Sequence, residues 1–463
     1  MRILLWHGYL LRGSGSNLYT ANLARVWRGE GHDVLLMCQE QRAEGLDYID
    51  ATGDFDDSNR GFELQATRVA PASGTVRLVR PHIGGLLPVY VGDNFSGTIK
   101  LFVDLSEAEL ERYVDTNVRA LVTAIEQHRP DAIVTGHEVM GPYVALKACG
   151  ETGTRYVAKL HGSALEYAVK PQERYRHYAR EGLNGAAAVT GGSHYMIEEA
   201  NAVVPGPWRE RAVVLNPGCD IDLFRPRPDP PARPLRAAFV GKLIPAKGVH
   251  HLLAALGLIS IPELQVTVVG DGPFAESLRR LWAALQAGDK ELARDQLDGS
   301  DPSLEHLRSW LERATLDDAY ERRAAAVEVD FAGHMDHGPL SVVLPDFDVL
   351  VVPSVVPEAF GMVAAEAAAC GVLPIVPAHS GIGEAGATLE SELGRPGLLS
   401  FDPAQPVAGI ARALERVLGL PEDERRALGE GAVAVARERW SWERVAGELL
   451  SLAAPDSGSD SPR

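Results

Sequence analysis

The sequence has little of what several protein classes require. Its 463 residues contain four cysteines, none of them in a CxxC pair, so we expect reduced thiols in a cytoplasmic protein rather than a disulfide framework or a zinc site. Acidic residues outnumber basic ones, and the formal net charge of −18 argues against nucleic acid as a partner. No apolar run reaches the roughly 18 residues that a transmembrane segment requires.

The first residues are not expected to be a secretory signal. The stretch MRILLWHGYLL is apolar, but His7 and Gly8 interrupt it and no small-residue cleavage site follows. A first buried strand is the better interpretation. A length of 463 residues suits two or three domains, and 46% hydrophobic residues predict that they are well packed.

Short apolar runs typical of strands alternate with helical stretches twice along the chain. The first set comprises residues 2–6, 32–38, 131–135, 155–162 and 186–193, and the second comprises 236–243, 263–272, 327–334, 346–354 and 372–378. Such alternation predicts parallel sheets with crossover helices. The predicted fold class is therefore α/β, with two Rossmann-like, doubly wound domains facing each other across a cleft.

Composition places the domain boundaries. A proline-rich stretch predicts a linker, and the segment 275–326 is too long for one crossover, so it predicts a helical insertion. The predicted parts are, in chain order, an N-terminal domain (1–215), the linker (216–234), a C-terminal domain (235–435), a terminal helix (436–453) and a disordered tail (454–463).

Two acids stand in an otherwise apolar, alanine-rich segment, PEAFGMVAAEAAACG at 357–371. On a helix that rises ~1.5 Å per residue, the spacing of Glu358 and Glu366 corresponds to roughly 12 Å. An apolar helix has no structural use for two unpaired acids, because burying an unpaired charge is costly. The spacing suits one acid at the sugar of a nucleotide sugar and the other at its ribose. The alternative is that both acids lie on a solvated face.

A second loop follows the strand predicted at 236–240 and reads GKLIPAKG, residues 241–248. Lys242 and Lys247 flank this turn just before a helix, in a chain with few lysines. Cations at a helix start suit a diphosphate, because the helix dipole adds to their charge. Lysines that merely decorate the surface are the alternative.

The loop after the first strand, Gly13 to Asn17, consists of small residues before a helix predicted at 18–30. Small residues let the backbone approach a ligand, and a helix start offers unpaired N–H groups to an anion. A plain turn with a helix N-cap explains the loop equally well. A dinucleotide fingerprint would need a third glycine at Leu18, which argues against NAD although Glu40 follows the second strand. The side chains that we assign to the edge of the cleft are Ser14, Ser16 and Asn17.

Histidines follow two of the predicted strands. His161 stands after the strand at 156–160 and is followed by glycine, and His137 stands after the strand at 131–135. Ligands of open α/β sheets bind at the carboxyl ends of strands, so both histidines are candidates for the cleft. A histidine satisfied inside the core is the alternative for each.

No pattern in the sequence predicts a metal or cofactor. Asp346 and Asp348 have DxD spacing, but they lead into a strand and so lie at its wrong end. Asp220 and Asp222 fall in the linker, and no His or Cys cluster has the spacing of a metal site. We therefore expect no metal and no cofactor.

Together these segments resemble the family-4 retaining glycosyltransferases of GT-B architecture, over nearly the whole chain. VGKLIPAKGVHHLLAAL is similar to the family's diphosphate loop, PEAFGMVAAEAAACG to its carboxylate motif and NPGCDIDLFRP to its interdomain signature. VVGDGP and VDFAGHM resemble the ends of second-domain strands. The terminal helix is similar to the one that crosses back to the first domain in that family.

The resemblance implies roles for the matching residues. Lys242 and Lys247 would bind the donor diphosphate, although the family commonly has Arg at the first of these positions. Glu366 would hold the ribose, Glu358 the donor sugar, and His161 would stand near the anomeric carbon, which makes His161, Glu358 and Lys247 the catalytic candidates. Further implied contacts are Gly15 to phosphate, Phe360, Gly361 and Met362 to the donor, and His334 and Met335 to the base.

The implied reaction transfers a sugar from a nucleotide-diphosphate sugar to a hydroxyl acceptor and retains the configuration at the anomeric carbon. A separation of ~12 Å is too long for the two-carboxylate scheme of retaining hydrolases, so we favour front-face attack in which the leaving phosphate takes the acceptor proton. Lys242 and Lys247 would stabilise the leaving diphosphate in place of a metal ion. The poorly matching region 40–130 would shape the acceptor site, with a small soluble acceptor favoured and a lipid-linked one still open. An epimerase, a phosphorolytic enzyme and a non-catalytic nucleotide-sugar-binding subunit are the alternatives.

Overall fold

The computed structural model describes residues 1–69, 71, 73–90, 97–228, 234–261 and 263–454. It separates into two compact units: unit 1 consists of Met1–Pro217 with Trp442–Arg463, and unit 2 of Gly218–Ser441. Residues 229–233 of the predicted linker and residues 455–463 of the predicted tail lie outside the described residues.

Strands and helices alternate along both units, which confirms the predicted α/β class. The strands are β1 (Arg2–Trp6), β2 (Asp33–Met37), β3 (Ala51–Phe55), β4 (Phe62–Ala66), β5 (Thr75–Arg80), β6 (Leu86–Val89), β7 (Thr98–Leu101), β8 (Ala132–Gly136), β9 (Val157–Lys159), β10 (Ala188–Gly191), β11 (Ala212–Val214), β12 (Arg236–Val240), β13 (Gln265–Val269), β14 (Glu328–Gly333), β15 (Val349–Val351), β16 (Leu373–Pro377) and β17 (Ser400–Phe401).

The α-helices connect these strands, and short 3-10 turns complete several of the loops. The helices are α1 (Gly15–Gly29), α2 (Glu107–His128), α3 (Gly141–Thr152), α4 (Glu173–Gly185), α5 (His194–Val203), α6 (Val249–Leu256), α7 (Ala275–Gln286), α8 (Lys290–Asp295), α9 (Glu305–Arg313), α10 (Asp318–Ala325), α11 (His337–Val343), α12 (Met362–Ala369), α13 (Ser380–Glu392), α14 (Pro406–Leu418), α15 (Glu422–Trp440) and α16 (Trp442–Ala453). None of these helices combines the length and the apolar character needed to cross a membrane.

Unit 1 is built on one large sheet with the strand order β11-β10-β9-β8-β1-β2-β5-β3-β4. Its strands run parallel except at one edge, where β3 and β4 pair as an antiparallel hairpin. Strands β6 and β7 form a separate parallel pair. The order reverses between β1 and β8, so the loops after these two strands diverge and leave room for a ligand there.

Unit 2 has a six-stranded parallel sheet in the order β14-β13-β12-β15-β16-β17. Numbered within the unit, this order is 3-2-1-4-5-6, which is the doubly wound order of dinucleotide-binding domains. The order reverses between β12 and β15, and these two strands pair in parallel through Ala237 with Val349 and Ala238 with Leu350. The loops after β12 and β15 therefore begin side by side.

The last two helices of the described residues are separated at one residue. The helix predicted at 436–453 is interrupted at Ser441, which has the extended backbone of a helix cap. Helix α16 packs on α1 in unit 1, where the indole N–H of Trp27 donates to the carbonyl oxygen of Ala446 at 3.2 Å. Trp442 lies edge-on to Tyr19, with ring centroids 5.2 Å apart. The chain thus leaves unit 2 at Ser441 and finishes in unit 1.

The segment 275–326 contains helices α7 to α10, and it is part of the core of unit 2. Leu278, Leu281, Leu307 and Leu311 are fully buried. The hydroxyl of Tyr320 donates to the carbonyl oxygen of Ala254 on α6 at 3.0 Å. The segment is helical, as its sequence predicts, and its buried side chains belong to the core of unit 2.

Two adjacent histidines lie in the interior of unit 2, on α6. The rings of His250 and His251 are 4.1 Å apart, and both side chains are fully buried. His250 Nε2 lies 3.1 Å from the carbonyl oxygen of Ser303. Burial lowers the pKa of His250 to about 4 and lowers the pKa of His251 well below its ordinary value. Both rings are therefore neutral near pH 7.

Acid is expected to destabilise unit 2 through these residues. A histidine in an unfolded chain titrates near pH 6.5, so the unfolded state takes up protons on acidification before buried His250 does. The contribution of neutral His250 to the free energy of unfolding is complete above about pH 7, and it falls by about 2 kcal/mol by pH 5. Urea unfolding at the two pH values should show a smaller loss for His250→Gln than for wild type. His334→Gln, at an exposed position of the same unit, should keep the wild-type loss; identical losses in all three proteins would contradict this explanation.

Candidate functional site

The strongest candidate site lies in unit 2, at the carboxyl ends of β12 and β15. The loop after β12 continues through a single 3-10 turn, Pro245–Lys247, to α6. Gly248 closes that turn with φ +73°, and a Cβ there would lie 1.9 Å from the carbonyl oxygen of Pro353. The N–H of Val355 also donates to the carbonyl oxygen of Ala246 at 2.9 Å. The lysine loop and the loop after β15 are therefore held in direct contact.

This contact brings two of the predicted catalytic residues together. Lys247 Nζ donates to Glu358 Oε1 at 2.8 Å, and their side chains are 32% and 16% exposed. The hydroxyl of Ser354 donates to the same carboxylate oxygen, whereas Oε2 has no hydrogen-bond partner within the described part of the chain. Lys242 is exposed, and its ammonium group makes no ion pair with the described residues. Lys247 is thus the ordered cation of the loop.

The prediction that Glu358 and Glu366 share one helix is wrong. Helix α12 begins only at Met362, after Gly361 turns the chain with φ +87°. Glu358 lies in the preceding loop, so the distance of ~12 Å calculated from the helical rise does not apply. Phe360, between the acids, is buried against Trp440 with ring centroids 5.5 Å apart. A buried aromatic anchor in the loop prevents an earlier helix start.

The assumption that the two acids are unpaired is also wrong. Glu366 is buried on α12, and its Oε1 lies 3.4 Å from His337 Nε2. The hydrogen bond to Glu366 raises the pKa of His337, against the opposing effect of burial. Sequence reasoning missed His337, although its position shortly after β14 was an available signal. Of the two residues predicted at the base, His334 is exposed and Met335 is half-buried.

In unit 1, the small-residue loop leads into α1. Ser14 is the N-cap, with its hydroxyl accepting the N–H of Asn17 at 3.3 Å, and Gly15 and Ser16 form the first turn. Asn17 is buried, and its side chain bonds to His7 Nε2 at 2.9 Å and to the carbonyl oxygen of Arg12 at 2.6 Å. Ser14 is therefore the N-cap of α1, as in the alternative interpretation. The side chain of Asn17 is held by hydrogen bonds inside unit 1.

Three histidines follow three neighbouring strands of unit 1: His7 after β1, His137 after β8 and His161 after β9. The ring centroids of His7 and His137 are 5.7 Å apart, and those of His137 and His161 are 4.8 Å apart. Burial lowers the pKa of His7 to about 4 and the pKa values of the other two well below the ordinary range. His137 is in the interior, whereas His161 is partly exposed.

Glu138 and Lys159 lie buried beside these histidines, and sequence reasoning missed both. Glu138 Oε1 accepts the N–H of Gly162 at 3.0 Å, which ties the turn after β9 to the end of β8. Lys159 Nζ donates to the carbonyl oxygen of Leu215 at 2.9 Å. Burial raises the pKa of Glu138 to about 7 and lowers the pKa of Lys159 to about 7. These residues hold His161 in place from within the fold.

The acid pairs with DxD spacing have structural partners. Asp346 pairs with Arg227 at 2.5 Å, and Asp348 accepts the N–H of Arg236 at 2.8 Å. Asp220 caps its own turn by accepting the N–H of Asp222. Within the described ranges, no three His, Cys, Asp or Glu side chains are grouped so that they could hold a metal ion.

The unit 2 site thus combines a doubly wound sheet, a lysine and two acids at its switch point, and the start of α12. Ligands of such sheets bind at this point, and helix starts favour phosphate groups. The fold therefore defines the class of doubly wound α/β proteins.

Comparison with known proteins gives the family. Residues 14–218 match the family described as glycosyl transferase 4-like domain, and residues 309–433 match the family described as glycosyl transferases group 1. The chain belongs to the group 1 glycosyltransferases and has the GT-B fold.

Individual relatives agree with this assignment. D-inositol 3-phosphate glycosyltransferase of Nocardioides sp. is 30% identical over 266 residues, which are 52% of this chain and 48% of the relative. A GDP-mannose-dependent phosphatidylinositol monomannoside mannosyltransferase of Mycolicibacterium smegmatis is 26% identical over 64% of this chain and 69% of its own. The chain thus spans about half the length of the first of these relatives.

The solved structure of sucrose-phosphate synthase from Thermosynechococcus elongatus has the same fold. It superimposes with a TM-score of 0.58 at 20% identity, covering 97% of this chain and 98% of that chain. At this level of identity the likeness concerns the fold alone.

Proposed function

We propose that the protein transfers a sugar from a nucleotide-diphosphate sugar to a hydroxyl-bearing acceptor, with retention of the anomeric configuration and without a metal. The observation that carries the proposal is the contact between Lys247 and Glu358 at the switch point of unit 2, beside the start of the helix that bears Glu366. Of the relatives described above, one is named as a glycosyltransferase and the other as a GDP-mannose-dependent mannosyltransferase.

The donor would lie along this edge of unit 2. Lys247, with Lys242 as a second cation and the N–H groups at the start of α12, would face the diphosphate. The backbone of Phe360, Gly361 and Met362 would line the same stretch. Glu366 would accept the ribose hydroxyls, and the unpartnered Oε2 of Glu358 would accept a hydroxyl of the sugar.

The chemical difficulty is charge separation, because an oxocarbenium-like sugar forms while the diphosphate departs. Preorganised cations and N–H groups stabilise such a leaving group without reorganisation at the moment of reaction. The departing phosphate oxygen would take the acceptor proton as the acceptor attacks from the same face. His161, neutral near pH 7, is assigned to the anomeric end of the donor, and Gly15 to its phosphate.

The test is product analysis. The purified protein is incubated with UDP-, GDP- and ADP-sugars and with hydroxylated acceptors, including inositol phosphates and a lipid-linked inositol mannoside. The anomeric protons of the product are then followed by NMR. The proposal expects transfer with retained configuration. An inverted product, an epimerised donor or phosphorolysis without transfer would contradict it, and binding without turnover would support the non-catalytic alternative.

Metal removal gives a separate prediction. Since Lys247 and Lys242 are assigned to the departing diphosphate, turnover in excess EDTA should stay within about two-fold of the untreated rate, an effect below 0.5 kcal/mol. Initial rates with and without EDTA, and after adding back Mg²⁺ or Mn²⁺, measure this. Loss of activity in EDTA with recovery on metal addition would contradict the metal-independent mechanism.

We also propose a cytoplasmic location. All four cysteines are buried and free, as expected in a reducing compartment.

A further inference from the structure

Ser380 has an unusual backbone conformation for a residue with a side chain. It is the first residue of α13, and its φ of +52° lies in the left-handed region. Glycine adopts this region without cost, whereas a Cβ makes it unfavourable. A strained residue beside a functional site prompts the question of what its side chain does there.

The hydroxyl of Ser380 holds the backbone of Glu358. Glu358 N–H donates to Ser380 Oγ at 3.0 Å, and the next N–H, of Gly381, donates back to the carbonyl oxygen of Glu358 at 2.9 Å. Both polar groups of the Glu358 main chain are thus fixed by the start of α13. This contact joins the loop after β15 to the loop after β16.

His379 connects this contact to the carboxylate of Glu358. Its Nδ1 lies 3.0 Å from Ser380 Oγ, and its Nε2 lies 3.2 Å from the carbonyl oxygen of Ser354. The Ser354 hydroxyl in turn donates to Glu358 Oε1. Ser354, His379, Ser380 and Glu358 therefore form a closed hydrogen-bonded ring.

The direction of each hydrogen bond in the ring follows from the donor inventory. A carbonyl oxygen only accepts, so His379 Nε2 must carry the proton that goes to Ser354. In the neutral ring Nδ1 is then an acceptor, and the Ser380 hydroxyl donates to it. A lone pair of Ser380 Oγ is left to accept the Glu358 N–H. Every member of the ring is satisfied in one consistent orientation.

We propose that Ser380, oriented by His379, is a positioning residue that fixes Glu358 toward the donor sugar. This inference rests on the proposed function, and it explains why a serine stands where a glycine would be free of strain. At the nucleotide end of the site, the Ser380 hydroxyl is linked to Lys247 only through Glu358, and Glu366 lies apart on α12.

The inference predicts that the backbone and the hydroxyl of Ser380 have separable effects. Ser380→Gly removes the strain together with the hydroxyl, so its melting temperature should equal or exceed that of wild type while turnover falls about ten-fold or more. Ser380→Thr keeps the hydroxyl on a bulkier residue, so it should melt about 2–4 °C lower but turn over within about three-fold of wild type. A merely structural role would move both properties together.

The experiment measures three quantities on the full chain: melting temperature, kcat with a nucleotide sugar, and Kd for the nucleoside diphosphate. The expected Ser380→Gly protein is folded and binds the diphosphate like wild type but is slow. The positioning role would be overturned if Ser380→Gly had wild-type turnover, or if Ser380→Gly and Ser380→Thr lost turnover equally. Either result would leave the proposed function intact. If wild type neither turns over nor binds any nucleoside diphosphate, the proposed function fails, and this inference fails with it.

Discussion

Replacing Lys247 with alanine is expected to lower kcat by about 10²–10³-fold, the usual loss when one preorganised group that stabilises developing charge is removed. The effect has two physical sources. The leaving diphosphate loses its ordered cation, and Glu358 loses the partner that lies 2.8 Å from its carboxylate. Initial rates at saturating donor measure the change.

Variants of two other lysines serve as the control and the comparison for Lys247→Ala. Lys147→Ala, at an exposed position on α3 in unit 1, is the matched control and should keep wild-type kcat. Lys242→Ala should have a smaller effect than Lys247→Ala, because the Lys242 side chain is exposed and its ammonium group is not held by an ion pair with the described residues. Wild-type kcat in Lys247→Ala would remove the lysine from the proposed mechanism.

Replacing Glu366 with glutamine is expected to weaken donor binding by about 10–100-fold, which corresponds to the roughly 1.5–3 kcal/mol of a hydrogen bond to a charged group. Glu366 is assigned to the ribose, which does not change during the reaction, so KM should rise more than kcat falls. Isothermal titration with the nucleoside diphosphate measures the same loss without turnover.

The matched control for Glu366 is Glu291→Gln, at an exposed position on α8 of the same unit. It should bind like wild type. A Glu366→Gln protein that binds the donor as tightly as this control would show that the carboxylate has no role in recognition. Its pairing with His337 would then be its whole function.

The sequence predicted the parallel core of both units because the central strands are continuous apolar runs. β1, β8, β12 and β16 are nearly or fully buried along their length, and burial on both faces leaves that pattern. The edge strands gave no such signal. β4 reads FELQA and is largely exposed, so its pairing depends on the hairpin with β3 rather than on its own hydrophobicity.

Candidate residues were predictable where they lie in the loop after a strand, as Lys247 does after β12 and His161 after β9. They were not predictable where contacts depend on the packing of separate loops. Ser380 meets Glu358 only because β15 and β16 are neighbours in the sheet. His337 follows β14 and Glu366 follows β15, and β13 and β12 lie between these two strands in the sheet. The helix start at Met362 was misplaced because the anchoring of Phe360 against Trp440 is a tertiary effect.

The most direct test is a crystal structure of the protein soaked with uridine, guanosine or adenosine diphosphate. The predicted complex has the two phosphates against Lys247 and the first turn of α12, with the ribose hydroxyls on Glu366. A well-occupied nucleotide bound elsewhere on the chain, or this edge of unit 2 still without ligand after soaking with all three, would contradict the assignment of unit 2 as the donor-binding unit.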